Sequence, residues 1–281
     1  MSVGVALMAC VCALAASGPS PAAEVPAAPI PNFALDLLTS WQLDRTIDDL
    51  LPPPSGPGPI TFDPAHPYVP NFRATPPTYR VADLSNPILQ PWAREQMRKS
   101  NDEVLAGKVP FRARERCWPI GVPGFVIYSL VESFYFLQTP RKVTIINPGG
   151  PEVRQIYLNV PHSAEPKPSW YGESVGHYEG GDTLVIDTIG ITDRSFVDNY
   201  RTPHTSKLHV VERFKLVEDG QVVQISMTVD DPGAFTTPWS ATQRWRRVDR
   251  GAFYEASCNE NHTDYFEKYS VPTPRAAKPD F

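Results

Sequence analysis

Residues 170–188 read WYGESVGHYEGGDTLVIDT, and residues 201–232 read RTPHTSKLHVVERFKLVEDGQVVQISMTVDDP. Apolar and polar side chains alternate along both segments, and turns rich in glycine and aspartate separate the alternating runs. Successive side chains of a β-strand point to opposite faces of a sheet, so this alternation is typical of strands with one buried face. The two segments therefore predict a β-rich globular domain.

The clearest predicted hairpin covers residues 208–230, where Asp219-Gly220 is a strong turn signal between two alternating runs. One apolar face consists of Leu208, Val210, Phe214, Leu216, Val223, Ile225, Met227 and Val229. Glu212 falls on this same face. We therefore expect one carboxylate among the buried side chains of the hairpin.

Outward from this hairpin, about eight to ten short strands are predicted between Cys117 and Cys258, separated by Pro, Gly and Asp turn signals. Almost no connection is long enough for a crossover helix, which favours antiparallel pairing. The predicted fold class is all-β, an antiparallel meander that closes into a lipocalin-like barrel; a β-sandwich is the alternative.

Seventeen of the 32 prolines of the chain lie between residues 19 and 91, where regular sheet is disfavoured because proline lacks a ladder donor. We expect a wrapping arm with two helices there. Asn32 is a candidate N-cap for a helix over Phe33–Leu51. The second helix is predicted over Pro91–Ala106, with Gly107 as its C-terminal stop.

The N-terminus predicts export. Residues 1–23 are interpreted as a signal peptide with an apolar run, and a lipoprotein anchored through Cys10 is the alternative. The predicted layout continues with the arm at 24–116, the barrel domain at 117–265 and a loose tail at 266–281. No later apolar run approaches the roughly 20 residues of a membrane-spanning helix. The predicted location is periplasmic or secreted.

The export prediction bears on the cysteines. If the leader is removed beyond Cys12, only Cys117 and Cys258 remain, and one disulfide between them is expected in an oxidising compartment. Two buried free thiols are the alternative. The net charge of −5, with no basic run, argues against a nucleic-acid partner.

Five side chains are the candidate catalytic groups. Glu212 on the apolar face would have a raised pKa and act as general acid or base if it faced a cavity, whereas a buried ion pair with an arginine such as Arg244 is the alternative. His204 lies in the loop before this strand and could complete an acid/base couple or only bond to the backbone. The other candidates are His209, Asp187, which interrupts an apolar run, and Glu260, near His262.

Two motif interpretations fail on geometry. His209 and Glu212 have the spacing of a metal pair, but positions three apart on a strand face opposite ways, so no metal site is predicted. Gly172-Glu173-Ser174-Val175-Gly176 resembles a nucleophile elbow, which requires a strand before it and a helix after it. Here a strand is expected to follow, so we reject the elbow. The sequence also has no glycine-rich loop of the kind that binds a phosphate, and we predict no cofactor.

Several motifs together resemble a widespread group of exported bacterial proteins of unassigned function. The matching segments are GESVGHYEGGDTLVIDTIGI, PHTSKLHVVERF, TVDDPGAF, PW and CNEN, which lie between Cys117 and His262. The sequence departs from the group at Gly181, which is inserted, at Thr205 in place of serine, and at His262 in place of asparagine. The resemblance implies export and a β fold, and its matching polar positions are Glu179, Asp182, Asp187, His204, His209, Glu212, Asp231 and Glu260.

The expected function is cofactor-independent acid/base chemistry, as a lyase, isomerase or hydrolase, on a small hydrophobic or aromatic molecule. The expected substrate-binding residues are Tyr178, Glu179, Trp239, Trp245 and Asp231. A barrel of about eight strands can hold one small molecule. The alternative is a periplasmic binding or carrier protein without catalysis.

Overall fold

The structure is a computed structural model, and it describes residues 29–35, 39–44, 48–69, 79–108, 110–111, 113, 117–127, 132–150 and 152–249. Its strands are β1 Thr39–Leu43, β2 Tyr135–Thr139, β3 Lys142–Asn147, β4 Glu152–Leu158, β5 Glu173–Glu179, β6 Thr183–Ile189, β7 His209–Val217, β8 Val222–Asp230 and β9 Trp239–Asp249. One α-helix, α1 Pro91–Leu105, and a 3-10 turn, Gly124–Ile127, accompany them. The predicted all-β class is confirmed.

The strands form a nine-stranded sheet in the order β1-β9-β8-β7-β6-β5-β4-β3-β2. The sheet curls until its two edges meet: Trp41 of β1 exchanges backbone hydrogen bonds of 2.9 and 2.8 Å with Phe134, directly before β2. A sheet that closes on itself has few unpaired edges. The barrel is therefore nearly closed, and the barrel was the right choice over the sandwich.

The expectation of purely antiparallel pairing is wrong at one place, because β4 and β5 run parallel. Residues 159–172 connect them as a crossover without a helix. Parallel strands need a connection that returns the chain to the same end of the sheet, and an irregular segment of this length suffices. The sheet is mixed rather than wholly antiparallel.

The helix predicted over Phe33–Leu51 is wrong, because Thr39–Leu43 is strand β1, paired with β9. All five of its residues are buried, and the alternation of Ser40-Trp41-Gln42-Leu43 is too short to distinguish a strand from a helix. Asn32 accepts a hydrogen bond from the backbone N–H of Ala34 at 3.2 Å, in a turn rather than a helix cap. The second predicted helix is confirmed as α1.

Large side chains fill the barrel interior around Trp245. Its ring stacks on Phe134 at a centroid distance of 4.1 Å and meets Phe214 edge-on at 5.5 Å, and both neighbours are fully buried. The hairpin face predicted as apolar is confirmed as buried, Glu212 included; only Leu216, at its end, is partly exposed. Within the described residues, no helix combines the length and apolarity that crossing a bilayer requires.

Candidate functional site

A pocket of about 580 Å³ lies at the end of the barrel where β6 leads into β7. This volume is in the range of small-molecule sites. We call it the barrel-end pocket; its lining residues are Trp92, Gln96, Trp118, Asp193, Arg194, Ser195, Phe196, Pro203, His204, Thr205 and Ser206. Most come from the connection 190–208, so the sheet holds both ends of the segment that forms the site.

Two side chains of this connection face each other within hydrogen-bonding distance. The hydroxyl oxygen of Ser195 lies 2.9 Å from Nε2 of His204, and both residues are buried. A second contact of the hydroxyl, to the carbonyl oxygen of Thr192, is longer at 3.2 Å. A hydroxyl beside an imidazole is the arrangement in which the ring can accept a proton from the hydroxyl.

The tautomer of His204 follows from its other nitrogen. Nδ1 lies 2.9 Å from the carbonyl oxygen of Thr205, and a carbonyl only accepts hydrogen bonds, so Nδ1 carries the hydrogen. In the neutral ring, Nε2 then presents its lone pair to Ser195. Burial lowers the pKa of His204 below its ordinary value of 6.5, against the opposing effects of the Thr205 bond and of the Asp231 and Asp193 charges. At neutral pH the ring is therefore mostly neutral and able to act as a base.

Asp231 fixes the backbone that orients His204. Its fully buried carboxylate accepts hydrogen bonds from the backbone N–H and, at 2.7 Å, from the hydroxyl of Thr205. It also accepts from the backbone N–H of Gly233 at 2.9 Å, in the β8–β9 turn. The predicted substrate-binding residue Asp231 thus lies behind His204, as a positioning residue.

Aromatic side chains form much of the pocket wall. Trp118 packs against Trp170 at a centroid distance of 5.3 Å, and Phe196 packs against Phe111 at 5.9 Å. Trp92 of α1 donates its indole N–H to the carbonyl oxygen of Gly233 at 2.6 Å. Rings held in fixed orientations present apolar faces to a ligand at little conformational cost.

Glu212 lies elsewhere, inside the barrel. It is fully buried and forms a bidentate ion pair with the fully buried Arg154 of β4, whose guanidinium also donates to the hydroxyl of Thr188 at 3.0 Å. Of the two alternatives for this carboxylate, the structure has the buried ion pair. The partner is Arg154 rather than Arg244, which pairs with Asp44 and Glu218.

Two other catalytic candidates meet on the outer surface of the barrel. His209 Nε2 lies 2.8 Å from Asp187 Oδ1, and His162 Nε2 lies 3.1 Å from the same oxygen. His162 Nδ1 also lies 3.0 Å from Glu173. These four residues, the outer-face cluster, attach the β4–β5 crossover to the sheet. Hydrogen bonds from Ser163 are the main cause of a lowered pKa at Glu173.

The remaining predicted substrate-binding residues are scattered. Trp245 is buried in the barrel and donates its indole N–H to the carbonyl oxygen of Val126 at 3.0 Å. Trp239 is buried against Phe235. The Tyr178 hydroxyl bonds to Gln138 at 3.0 Å. Glu179 pairs with Arg213 and His177 on the surface, and these bonds lower its pKa to about 2. None of these four lines the barrel-end pocket.

Two further predictions involve residues outside the described part of the chain: Glu260 as a catalytic group, and Cys258 as the partner of Cys117. The pairing of the cysteines stays a prediction.

Ser174 of the rejected elbow motif is buried and bonds to Thr188 at 2.8 Å. Among the described residues, no group of three or more His, Cys, Asp or Glu side chains has an arrangement suited to a metal ion.

Sequence reasoning found His204 and Asp231 but missed Ser195 and the partner of Glu212. Ser195 lies in the irregular segment Ile191–Thr202, where no alternation or turn signal distinguishes one polar residue from another. The available signal was only its distance of nine residues from a histidine in the same loop. Arg154 gave no clear signal either, because the buried face of β4 also carries Glu152 while Val153 and Tyr157 point outward.

Comparison with known proteins leaves the site to be judged on its geometry. No family model matches the chain, and no curated protein is significantly similar to it.

Proposed function

We propose that this protein is an exported enzyme that carries out cofactor-independent acid/base chemistry on a small aromatic or hydrophobic molecule in the barrel-end pocket. His204 is the general base. The observation that carries the proposal is the Nδ1–H bond from His204 to the Thr205 carbonyl, because it leaves the Nε2 lone pair at the pocket. The lowered pKa of His204, caused first by burial, keeps Nε2 unprotonated at neutral pH.

The proposal moves the chemistry away from Glu212. A carboxylate that is fully buried and paired with Arg154 has no contact with the barrel-end pocket. Asp187 and His209 are partly exposed on the outer surface and bond to each other. Of the four predicted catalytic residues that the structure describes, His204 is the one that combines a pocket, a fixed tautomer and a shifted pKa.

The test compares wild-type protein with His204→Gln on a panel of aromatic and terpenoid compounds, with turnover followed by mass spectrometry. General-base catalysis typically contributes about 10²–10⁴-fold, so we expect the variant to lose at least about 100-fold in kcat/KM. His177→Gln is the matched control, since the His177 side chain is exposed and bonds to Glu179, away from the pocket. Turnover by His204→Gln equal to that of the control would remove His204 from the mechanism.

The pH profile gives a second readout that a misfolded variant would not imitate. We expect kcat/KM of the wild type to fall on the acid side with an apparent pKa below 6.5, because protonation of His204 removes the base and burial lowers its pKa. An acid limb at or above pH 6.5 contradicts this assignment.

A carrier function is the second candidate, and the aromatic pocket wall favours it. Trp92 and Trp118 line the pocket, so ligand binding should change their fluorescence. Binding by the wild type and His204→Gln alike, with no conversion of any compound by either, would select the carrier.

A further inference from the structure

We infer that Ser195 is a nucleophile activated by His204, and that the barrel-end pocket hydrolyses neutral aryl esters through an acyl-serine intermediate. The inference rests on the proposed function and deepens it, by selecting hydrolysis from the acid/base reactions and an ester as the substrate class. It begins from the 2.9 Å contact between Ser195 Oγ and His204 Nε2 in the pocket wall.

The direction of the hydrogen bond between Ser195 and His204 supports a nucleophilic serine. Because Nδ1 of His204 donates to Thr205, the hydrogen of the Ser195–His204 bond belongs to the hydroxyl, which donates to Nε2. A serine that donates to the lone pair of a base is prepared to lose its proton as its oxygen attacks. A histidine that donated to the serine could not do this.

A third group orients the base, as nucleophilic serine sites require. Here the Thr205 carbonyl holds Nδ1–H, and the buried Asp231 carboxylate holds Thr205 through its backbone N–H and hydroxyl. The charges of Asp231 and Asp193 favour the protonated ring. They would therefore stabilise the imidazolium that forms when Ser195 gives up its proton.

The backbone of Gly121 packs closely against one side of Ser195. A Cβ atom at Gly121 would lie only 3.0 Å from both Cβ and Oγ of Ser195, so a side chain at that position would displace the serine. Gly121 also has a φ of 77°, which glycine adopts without strain. Glycine therefore allows the close packing that holds Ser195 beside His204, and a substrate has to reach the hydroxyl from the pocket.

The reaction balances with water as the only co-reactant. Ser195 Oγ attacks the ester carbonyl carbon while its proton passes to His204 Nε2, and the bond to the leaving phenol or alcohol breaks as that oxygen takes the proton. Water then attacks the acyl carbon and gives a proton to Nε2. The bond from the acyl carbon to Oγ breaks, Oγ recovers the proton, and the acid leaves.

The aryl part of the substrate follows from the pocket wall. Trp92, Trp118 and Phe196 supply the apolar surface, and about 580 Å³ accommodates one small molecule. Asp193 and Arg194 neighbour each other at the pocket, so neither charge sign dominates. A neutral ester with one aromatic ring fits this lining.

The experiment combines an active-site label with ester turnover. Wild type, Ser195→Ala, Ser195→Cys and Ser163→Ala are incubated with a fluorophosphonate probe and with p-nitrophenyl and phenyl esters. Ser163→Ala is the matched control, because Ser163 is exposed and bonds to Glu173 on the outer surface. Circular dichroism of each variant confirms folding.

We expect the probe to add one adduct, mapped by peptide mass spectrometry to Ser195, in wild type and Ser163→Ala. Ester turnover should fall at least about 100-fold in Ser195→Ala. Ser195→Cys should accumulate a thioester that is visible by intact mass spectrometry. This variant tests whether the side chain at position 195 attacks the ester, even if Ser195→Ala disturbs the loop.

The outcomes separate this inference from the proposed function. Labelling elsewhere, no labelling at all, or ester turnover that survives in Ser195→Ala overturns the nucleophile. If the nucleophile is overturned but conversion of other compounds still depends on His204, the acid/base proposal stands without a nucleophilic Ser195. If His204→Gln retains turnover as well, both fall.

Discussion

At the scale of single residues, the pair formed by Arg154 and Glu212 dominates the barrel interior. Glu212 interrupts the otherwise apolar buried face of β7, and both residues are fully buried, so either charge alone would be costly. The sequence predicted the buried position of Glu212 from strand alternation. It could not predict the partner, because Arg154 is 58 residues away and faces it only once the sheet has curled.

Replacing Glu212 by Gln should therefore affect stability rather than chemistry. The variant leaves the Arg154 guanidinium buried without a counter-charge, and we expect the free energy of unfolding to fall by about 3–5 kcal/mol. Urea denaturation measures this loss. Glu179→Gln is the control, since it breaks an exposed arginine pair and should leave the urea midpoint close to that of wild type. Equal urea midpoints for Glu212→Gln and wild type would contradict the expectation.

At the scale of elements, the parallel β4–β5 pair departs most from the expected meander. Strand β5 tolerates the close approach of its neighbours because Gly176 has no side chain. A Cβ at this position would meet the carbonyl oxygen of Val185 at 2.5 Å and a methyl group of Ile156 at 3.0 Å. The alternation of β5 predicted a strand, but the space around its glycine depends on β4 and β6.

Gly176→Ala should accordingly destabilise the sheet. Because the methyl group would collide with backbone on a neighbouring strand, we expect a loss of about 1–3 kcal/mol in the free energy of unfolding. Thermal denaturation monitored by circular dichroism measures it. The exposed neighbour His177→Ala is the control and should stay within about 0.5 kcal/mol of wild type. A stable Gly176→Ala protein would show that β4 and β6 can move apart.

At the scale of the whole molecule, the proline-rich arm is part of the barrel rather than a linker around it. It supplies β1, and its buried Arg80 bonds to Asp48 at 2.6 Å and to Asp49 at 2.7 Å. Asp49 accepts a hydrogen bond from the Tyr200 hydroxyl at 2.9 Å. This joins the arm to the same β6–β7 connection that carries Ser195 and His204.

Asp198 in this connection should make stability depend on pH. Burial raises its pKa to about 6 from 3.8, so the folded state retains a proton that the unfolded state loses. The free energy of unfolding of the wild type therefore falls as pH rises through this interval. Asp198→Asn removes this dependence while its oxygen can still accept the backbone N–H groups of Tyr200 and Thr202.

The measurement is urea denaturation of both proteins at pH 4 and pH 7. The stability of Asp198→Asn relative to wild type should increase from the lower to the higher pH, by up to about 3 kcal/mol for a shift of roughly two pKa units. Asp219→Asn, in the exposed hairpin turn, should show no such change. If the free energies of unfolding of Asp198→Asn and wild type differ by the same amount at pH 4 and pH 7, the retained proton is not on Asp198.

Local patterns in the sequence were enough to predict the strands from β2 to β9, the helix α1, the hairpin at Asp219-Gly220 and the buried face that includes Glu212. These features follow from periodicity and turn chemistry, which act between near neighbours in the chain. Asp231 and His204 were found as polar positions, although their connection through Thr205 was not.

Long-range contacts, by contrast, make Thr39–Leu43 a strand, align β4 and β5 in parallel, and bring Arg154 to Glu212. The same holds for the Ser195–His204 contact, which forms inside an irregular connection. Each of these depends on contacts between segments that no local period relates. Closure of the sheet brings such segments together, and the buried polar groups then require partners wherever the fold places them.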